Sequence, residues 1–261
     1  MPDWLTVILL GVVEGITEFL PVSSTGHLLI VEHWLGCRQS DLFNIVIQSA
    51  AVIAVLPLFK DRLVMLTRWR EPASRSMIFK IVVAFGITGV GGLMLDKFGF
   101  ELPEEVLPVA IALVVGGIAF IAVEMGLKNH RLSPSISWLA TIVVAFGQLL
   151  AAVFPGSSRS GSTILAAMLC GVNRVAATEF SFLVGIPTML AAGGLKIFKA
   201  LRDGAHEDWT LLALAAISSA IVSFIAVKWL LRYVQSHTFI SFGIYRIVFG
   251  IILIWALSHS S

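Results

Sequence analysis

Charge is scarce in this chain. Lysine, arginine, aspartate and glutamate make up 13% of its 261 residues, against about 25% in an average soluble domain. Such a body cannot cover itself with a water-facing surface, which excludes a soluble enzyme. With 57% apolar residues a disordered chain is excluded too. The small net charge of +2 excludes a nucleic-acid partner. Cysteine is nearly absent. Cys37 and Cys170 stand far apart, in no CxxC or Cys/His spacing, which argues against a thiolate metal centre and a disulfide scaffold. Alternating strands of about ten residues, the mark of a transmembrane barrel, are missing. A basic region before the first apolar run is missing as well, and that run carries two glutamates, so no cleavable signal peptide is expected. What remains is long, continuous apolar sequence with a mean hydropathy of +0.93. Helices satisfy their own backbone groups in lipid, so the expectation is an all-α integral membrane protein.

Ten apolar segments stand out, near 4–20, 22–35, 45–59, 77–96, 106–127, 136–154, 161–172, 180–199, 209–231 and 239–257. Six can cross a bilayer, of which 45–59 is the shortest. The other four form two pairs, each split by a Pro-Ser-rich break, Pro21 to Gly26 and Pro155 to Gly161. Proline and glycine end helices, so each pair predicts a re-entrant hairpin. The halves resemble each other. Glu14 precedes Pro21 by the interval that separates Gln148 from Pro155, Ser23-Ser24 matches Ser157-Ser158, and after a later one-residue insertion Leu35-Gly36 matches Cys170-Gly171. A hairpin adds no crossing and three spans add an odd number, so the second copy is inverted. The expected plan is one membrane domain over 1–261, with repeats 1–127 and 135–261 and a site where the broken helices meet.

Basic residues set the orientation. Lys60, Arg62, Arg68, Arg70, Arg75, Lys128, Arg131, Arg174, Lys228 and Arg232 fall on one side; Arg38, Lys97, Lys196, Lys199 and Arg202 fall on the other. The first side is expected to be cytoplasmic, with both termini and the 97–105 loop outside.

Ionisable residues inside a span are costly and mark function. Glu14 and Glu18 share one helix face. They suit a divalent cation completed by phosphate oxygens; the alternative is burial against Arg159 and Arg246 or a water-filled vestibule. Ser23, Ser24 and Thr25 lie at the first break with His27 close behind. A hydroxyl and an imidazole are the minimum for a nucleophile and its base, while hydroxyls here also suit a helix cap. Gly156 to Ser162 runs into a helix start around Arg159, as a phosphate cradle does; the plainer reading is a capped turn with Arg159 paired to a glutamate. Structural roles are expected for Glu179 beside Arg174, for Arg246 neutralising a buried glutamate, and for Gln48 bonding across the repeats. Glu124 and Lys80 are expected to snorkel, Gly91-Gly92, Gly116-Gly117 and Gly193-Gly194 to pack helices, and Lys60 to Arg75 to form a solvated loop.

The run from Glu14 to His27, EGITEFLPVSSTGH, resembles the first signature of the undecaprenyl-diphosphate phosphatase, or bacitracin-resistance, family, and PGSSRSGST from Pro155 to Thr163 resembles the second. Glu179-Phe180-Ser181-Phe182-Leu183 and Tyr245-Arg246 are also similar to family positions; Ser49-Ala50 after Gln48 departs from the usual Leu-Gly. The resemblance spans the chain. It implies hydrolysis of a polyprenyl diphosphate in the bacterial cytoplasmic (inner) membrane, to recycle the carrier of cell-wall synthesis, with the active site open to the outer, periplasmic side. It implies a divalent cation, Mg or Ca, at Glu14 and Glu18. It implies catalytic roles for Glu18, Ser24, His27 and Arg159, with Ser24 preferred as nucleophile and His27 as its helper. Ser23, Thr25, Gly156, Ser157, Ser158, Ser160 and Thr163 become candidate substrate contacts, and a homodimer stays open. Inverted repeats are also a transporter plan, so a polyprenyl-phosphate flippase is the alternative.

Overall fold

The computed structural model describes residues 1–98, 106–204 and 207–259. Its helices are α1 (Asp3–Thr17), α2 (Ser24–Leu35), α3 (Asp41–Val55), α4 (Lys60–Thr67), α5 (Pro72–Lys97), α6 (Val106–Leu127), α7 (Trp138–Val153), α8 (Arg159–Leu169), α9 (Arg174–Arg202), α10 (Trp209–Ser236) and α11 (Ile240–His259). Among the described residues there is no strand, only an isolated bridge between Ser133 and Val172. Six helical runs are long and apolar enough to cross a membrane: Asp41–Thr67, Pro72–Lys97, Val106–Leu127, Arg174–Arg202, Trp209–Ser236 and Ile240–His259. The chain is an all-α, multi-pass membrane protein.

The starts of several helices are written in the sequence. Ser40, Ser137, Asn173 and Asp208 accept backbone N–H groups of the turns they open. The cap at Asn173 explains why α9 begins six residues before the apolar segment expected at 180. The span expected to be shortest gains length because a 3₁₀ turn at Leu56–Phe59, carrying Pro57, hands directly on to α4. The first part of the expected 60–75 loop is therefore helix, though none of its residues is buried. Most of the 97–105 loop lies outside the described residues.

α1, α2, α7 and α8 have 15, 12, 16 and 11 residues, too few to span alone. They pack as two pairs, α1 with α2 and α7 with α8. The partners exchange between the halves: α1 lies on α10 as α7 lies on α5, while α3 meets α9 and α6 meets α11. Small residues permit these approaches. α1 lays Gly11 and Gly15 on Ala215 and Ser219 of α10. At the α6–α11 crossing, a Cβ on Gly117 would stand 2.6 Å from the Gly243 carbonyl oxygen, and one on Gly243 2.8 Å from that of Gly117. Gly91 and Gly193 meet Leu149 and Ser49, whereas Gly92 and Gly194 face open space and pack nothing.

Arg246 of α11 is wholly buried between the two broken pairs. Sequence logic assigns it a glutamate partner, but it takes none. Its guanidinium donates to the carbonyls of Pro21 (3.1 Å), Gly156 (3.0 Å), Ser157 (3.0 Å), Ala112 (3.2 Å) and Leu113 (3.3 Å). Pro21 belongs to the first break, and Gly156 and Ser157 to the second. These breaks free carbonyls that no helix satisfies, and a five-donor fork is the one side chain that can serve both. Phe120 lies 6.0 Å beneath the guanidinium. The absence of a side chain at Gly116 makes room for it, since a Cβ there would overlap the fork. Each orphaned buried carbonyl costs about 1–3 kcal/mol. Arg246→Lys is therefore expected to lose roughly 3 kcal/mol or more of stability, with Arg246→Met worse, read as a fall in Tm in detergent. A lysine variant with wild-type Tm would show that the fork is not what joins the breaks.

Candidate active site

Two serines sit at the starts of the inner helices in a conformation that L-residues avoid. Ser23 has φ +75° and Ser158 φ +68°, the only non-glycine positive values among the described residues. Such strain persists where surrounding structure over-determines it. Ser23 precedes α2 and Ser158 precedes α8, so Ser24 and Arg159 are each the first residue of a helix. By backbone position Ser23 therefore matches Ser158 and Ser24 matches Arg159, one residue out of step with the match of Ser23-Ser24 to Ser157-Ser158 by letter. Pairing the serines by letter hides this; pairing the strained caps reveals it.

Glu18 lies just beyond α1, buried at 6% exposure. The Ser24 hydroxyl donates to its Oε2 at 2.6 Å, and the Gln48 amide donates to the same oxygen at 3.2 Å. Arg159 Nη2 reaches Oε1 at 3.3 Å. The two breaks thus meet on one carboxylate. Ser160 adds a tie by donating to the Leu20 carbonyl at 3.1 Å. Glu14, one turn earlier and buried, faces both Glu18 and Arg159. A cavity of about 310 Å³ opens over this group, lined by Glu18, Ser23, Ser24, Thr25 and Gln48 from the first half and Gln148, Gly156, Ser158, Arg159 and Thr188 from the second. The starts of α2 and α8 carry backbone N–H groups without helical acceptors, and the positive ends of both helix dipoles favour an anion there.

Three buried polar atoms here lack partners: Glu14 Oε2 and Gln148 Oε1, both acceptors, and Arg159 Nη1, a donor. Arg159 lies against Gly185 of α9, where any Cβ would overlap its Nη1. An orphan acceptor beside an orphan donor leaves room for a cation and an anion together. The acceptors Glu14, Glu18 and the Ser24 hydroxyl are all hard oxygens, which fits Mg or Ca. Among the described residues no group of three or more His, Cys, Asp or Glu side chains could hold a metal. Two carboxylates with the remaining ligands from phosphate is how Mg is commonly bound.

Other expected contacts lie elsewhere. His27 does not reach Ser24. Its Nδ1 donates to the Ser23 carbonyl at 2.7 Å, its Nε2 meets the Tyr245 hydroxyl at 2.6 Å, and its ring stacks on Phe249 at 4.4 Å. The imidazole holds the strained cap rather than the hydroxyl. Thr163 is buried and bonds Ser181 at 2.5 Å, and neither Ser157 nor Ser160 lines the polar cavity. Gln48 bonds within its own half rather than across. Glu179 pairs with Arg62 at 2.6 Å, not with Arg174. Arg174 instead grips Glu124 at 2.5 Å, whose side chain is wholly buried and does not snorkel. Lys80 reaches the Ile136 carbonyl at 2.7 Å. Thr88 and Thr188 line the cavity and Gly185 backs Arg159, none of them with a sequence signal; Tyr245, which had one, holds His27 outside the cavity.

Six spans around two broken helix pairs, with hydroxyl, guanidinium and helix starts converging on one buried carboxylate, define a polytopic membrane protein with an anion-receptive polar centre. The family model described as bacitracin resistance protein BacA matches residues 7–252, and the chain belongs to that family. It is 54% identical over 256 residues to a protein named undecaprenyl-diphosphatase from Rhizobium etli (strain CIAT 652), covering 97% of this chain and 96% of that one. It is 46% identical over 258 residues to one of the same name from Xylella fastidiosa (strain 9a5c), covering 97% and 98%. A third of that name, from Xanthomonas euvesicatoria pv. vesicatoria (strain 85-10), is 45% identical over 260 residues, covering 98% of each.

Since both ring nitrogens of His27 are engaged away from Ser24, His27→Ala is expected to lower kcat by about tenfold to a hundredfold without moving the acid limb of the pH–rate profile. Tyr245→Phe, which removes only the partner hydroxyl, should do the same more mildly. Loss of that acid limb in His27→Ala would instead make the imidazole the base.

Proposed function

We propose that this protein hydrolyses undecaprenyl diphosphate to undecaprenyl phosphate and inorganic phosphate in the bacterial cytoplasmic membrane. The observation that carries this is the Glu18 carboxylate shared by the Ser24 hydroxyl and Arg159, flanked by the orphan atoms of Glu14 and Arg159. The names of the relatives agree with it.

Glu18 Oε2 already accepts the Ser24 proton in a hydrogen bond, so it is the base that geometry favours. As that proton moves to Glu18, Ser24 Oγ bonds the terminal phosphorus. The bond from that phosphorus to the bridging oxygen breaks, and its electron pair leaves with the lipid monophosphate. Water then attacks the phosphoserine, the Ser24 oxygen regains a proton, and phosphate departs. Arg159 Nη1, free of partners, holds phosphoryl oxygens as charge redistributes. Glu14 and Glu18 would hold the divalent cation, which when bound offsets diphosphate charge.

The broken pairs are read as re-entrant hairpins and the halves as inverted repeats. Exchange of packing partners and the reciprocal approach of Gly117 and Gly243 support this. The cavity runs along Thr88 of α5 and Thr188 and Ala192 of α9, toward the end where Lys199 meets Asp96. That end has fewer basic residues, so the positive-inside rule makes it periplasmic. The flippase alternative is not favoured, because it needs neither a serine on a base nor the names the relatives carry.

Phosphate release from the lipid diphosphate in detergent tests this reading. Ser24→Ala is expected to lose about 10³-fold or more of kcat, and Glu18→Gln about 10²–10⁴-fold. Arg159→Lys keeps the charge but loses the fork and should fall about 10²-fold. Ser24→Ala with wild-type turnover, or a trapped phosphohistidine, would overturn the mechanism. In a separate titration, Glu14→Gln should need at least about tenfold more divalent cation for half-maximal rate. An unchanged cation requirement would remove Glu14 from the metal site.

A further inference from the structure

Beside the polar cavity lies a larger apolar one. It is a groove of about 820 Å³ between α6 and the α7–α8 pair, open sideways, with Ala112, Ala119, Phe146, Leu150, Ser162 and Leu165 among its walls. The second break divides the two spaces. Pro155, Gly156 and Ser158 line the polar cavity, while Phe154 and Ser157 line the groove. Ser157 Oγ, at that boundary, is buried and has no partner. One turn of backbone therefore separates a space suited to a diphosphate from a space suited to hydrocarbon.

The corresponding place in the other half is filled differently, residue by residue. The caps Ser23 and Ser158 correspond, so His27 corresponds to Ser162. At the α6–α11 crossing Gly117 faces Arg246 and Ile247 while Gly243 faces Phe120 and Ile121, so Tyr245 corresponds to Ala119. In the first half, His27, Tyr245 and Phe249 stack at the corresponding positions, with ring centroids 4.4 to 5.8 Å apart. In the second half, a serine and an alanine occupy two of those places, and the groove stays open.

We propose that this groove seats the first isoprene units of the lipid substrate, with the diphosphate over Ser24 and the rest of the chain passing out to the bilayer between α6 and α7. The assignment rests on the diphosphatase reading. The bilayer already solvates a prenyl chain, so the groove gains little by hydrophobic transfer. Its contribution is orientation: it fixes the angle at which the head group enters and favours substrates with a chain over those without.

A prenyl diphosphate carrying a diazirine on its second isoprene unit tests this on the intact protein in detergent, without depending on turnover. Labels are expected on the groove faces of α6 and α8 and are expected to disappear in Ala119→Phe and Ala112→Phe. Labels spread over other lipid-facing helices, or at an interface with a second copy, would overturn the proposal. The kinetic counterpart is the ratio of kcat/KM for a long prenyl diphosphate to that for a single-unit one. That ratio should fall at least about tenfold in Ala119→Phe, and an unaltered ratio in a folded variant counts against the groove. Groove labelling without phosphate release would sink the diphosphatase reading and leave the groove standing. Phosphate release with labels elsewhere would do the reverse.

Discussion

The architecture depends on one arginine bonded to backbone. Breaking a helix inside an apolar body exposes carbonyls that cannot turn to water. Breaking two such helices side by side doubles the problem, and Arg246 meets both with one planar fork. Because its acceptors are neutral carbonyls, no carboxylate is consumed. Glu14 and Glu18, the carboxylates nearby, stay available for chemistry. Had Arg246 paired with either, the polar centre would be a closed ion pair.

That separation of duties recurs. Elsewhere charges pair with each other, the buried Glu124 with Arg174 and, nearer the surface, Arg62 with Glu179, where they fasten spans together. Around Glu18 an orphan donor, Arg159 Nη1, and an orphan carboxylate acceptor, Glu14 Oε2, are left over together. A buried polar atom without a partner is expensive, so an orphan donor on Arg159 in the cavity wall and an orphan acceptor on Glu14 behind it suit a ligand that brings both charges. A diphosphate with its cation is such a ligand.

What the sequence made legible follows from what is local. Pro21 and Pro155 forbid a continuing helix wherever they fall in space, and a long apolar run spans whatever its neighbours are. Glu18, Ser24 and Arg159 are readable as chemistry because charge and hydroxyls are rare in this background. The partners of these groups are not local. His27 and Ser24 are near in sequence, yet the imidazole turns to Tyr245, 218 positions away. Arg246 answers to carbonyls, which leave no trace in residue type. Gly185 matters only because Arg159 crosses α9 there. The correspondence of Ser24 with Arg159 shows only in backbone angles, since the letters align better one residue out of step.

That last correspondence bears on how such a chain could arise. If the two halves descend from one segment that once paired with itself, equal positions then held equal residues. Two serines would have faced each other with no cation to steady a phosphoryl group, or two arginines with no oxygen to attack it. The division of labour proposed for Ser24 and Arg159 requires the copies to differ at a single helix-start position. Fusion into one chain lets them differ while still meeting in every molecule. On that descent and with the chemistry proposed above, joining the halves comes before the division of labour, and the residual likeness between them is the trace of a symmetry the site gave up.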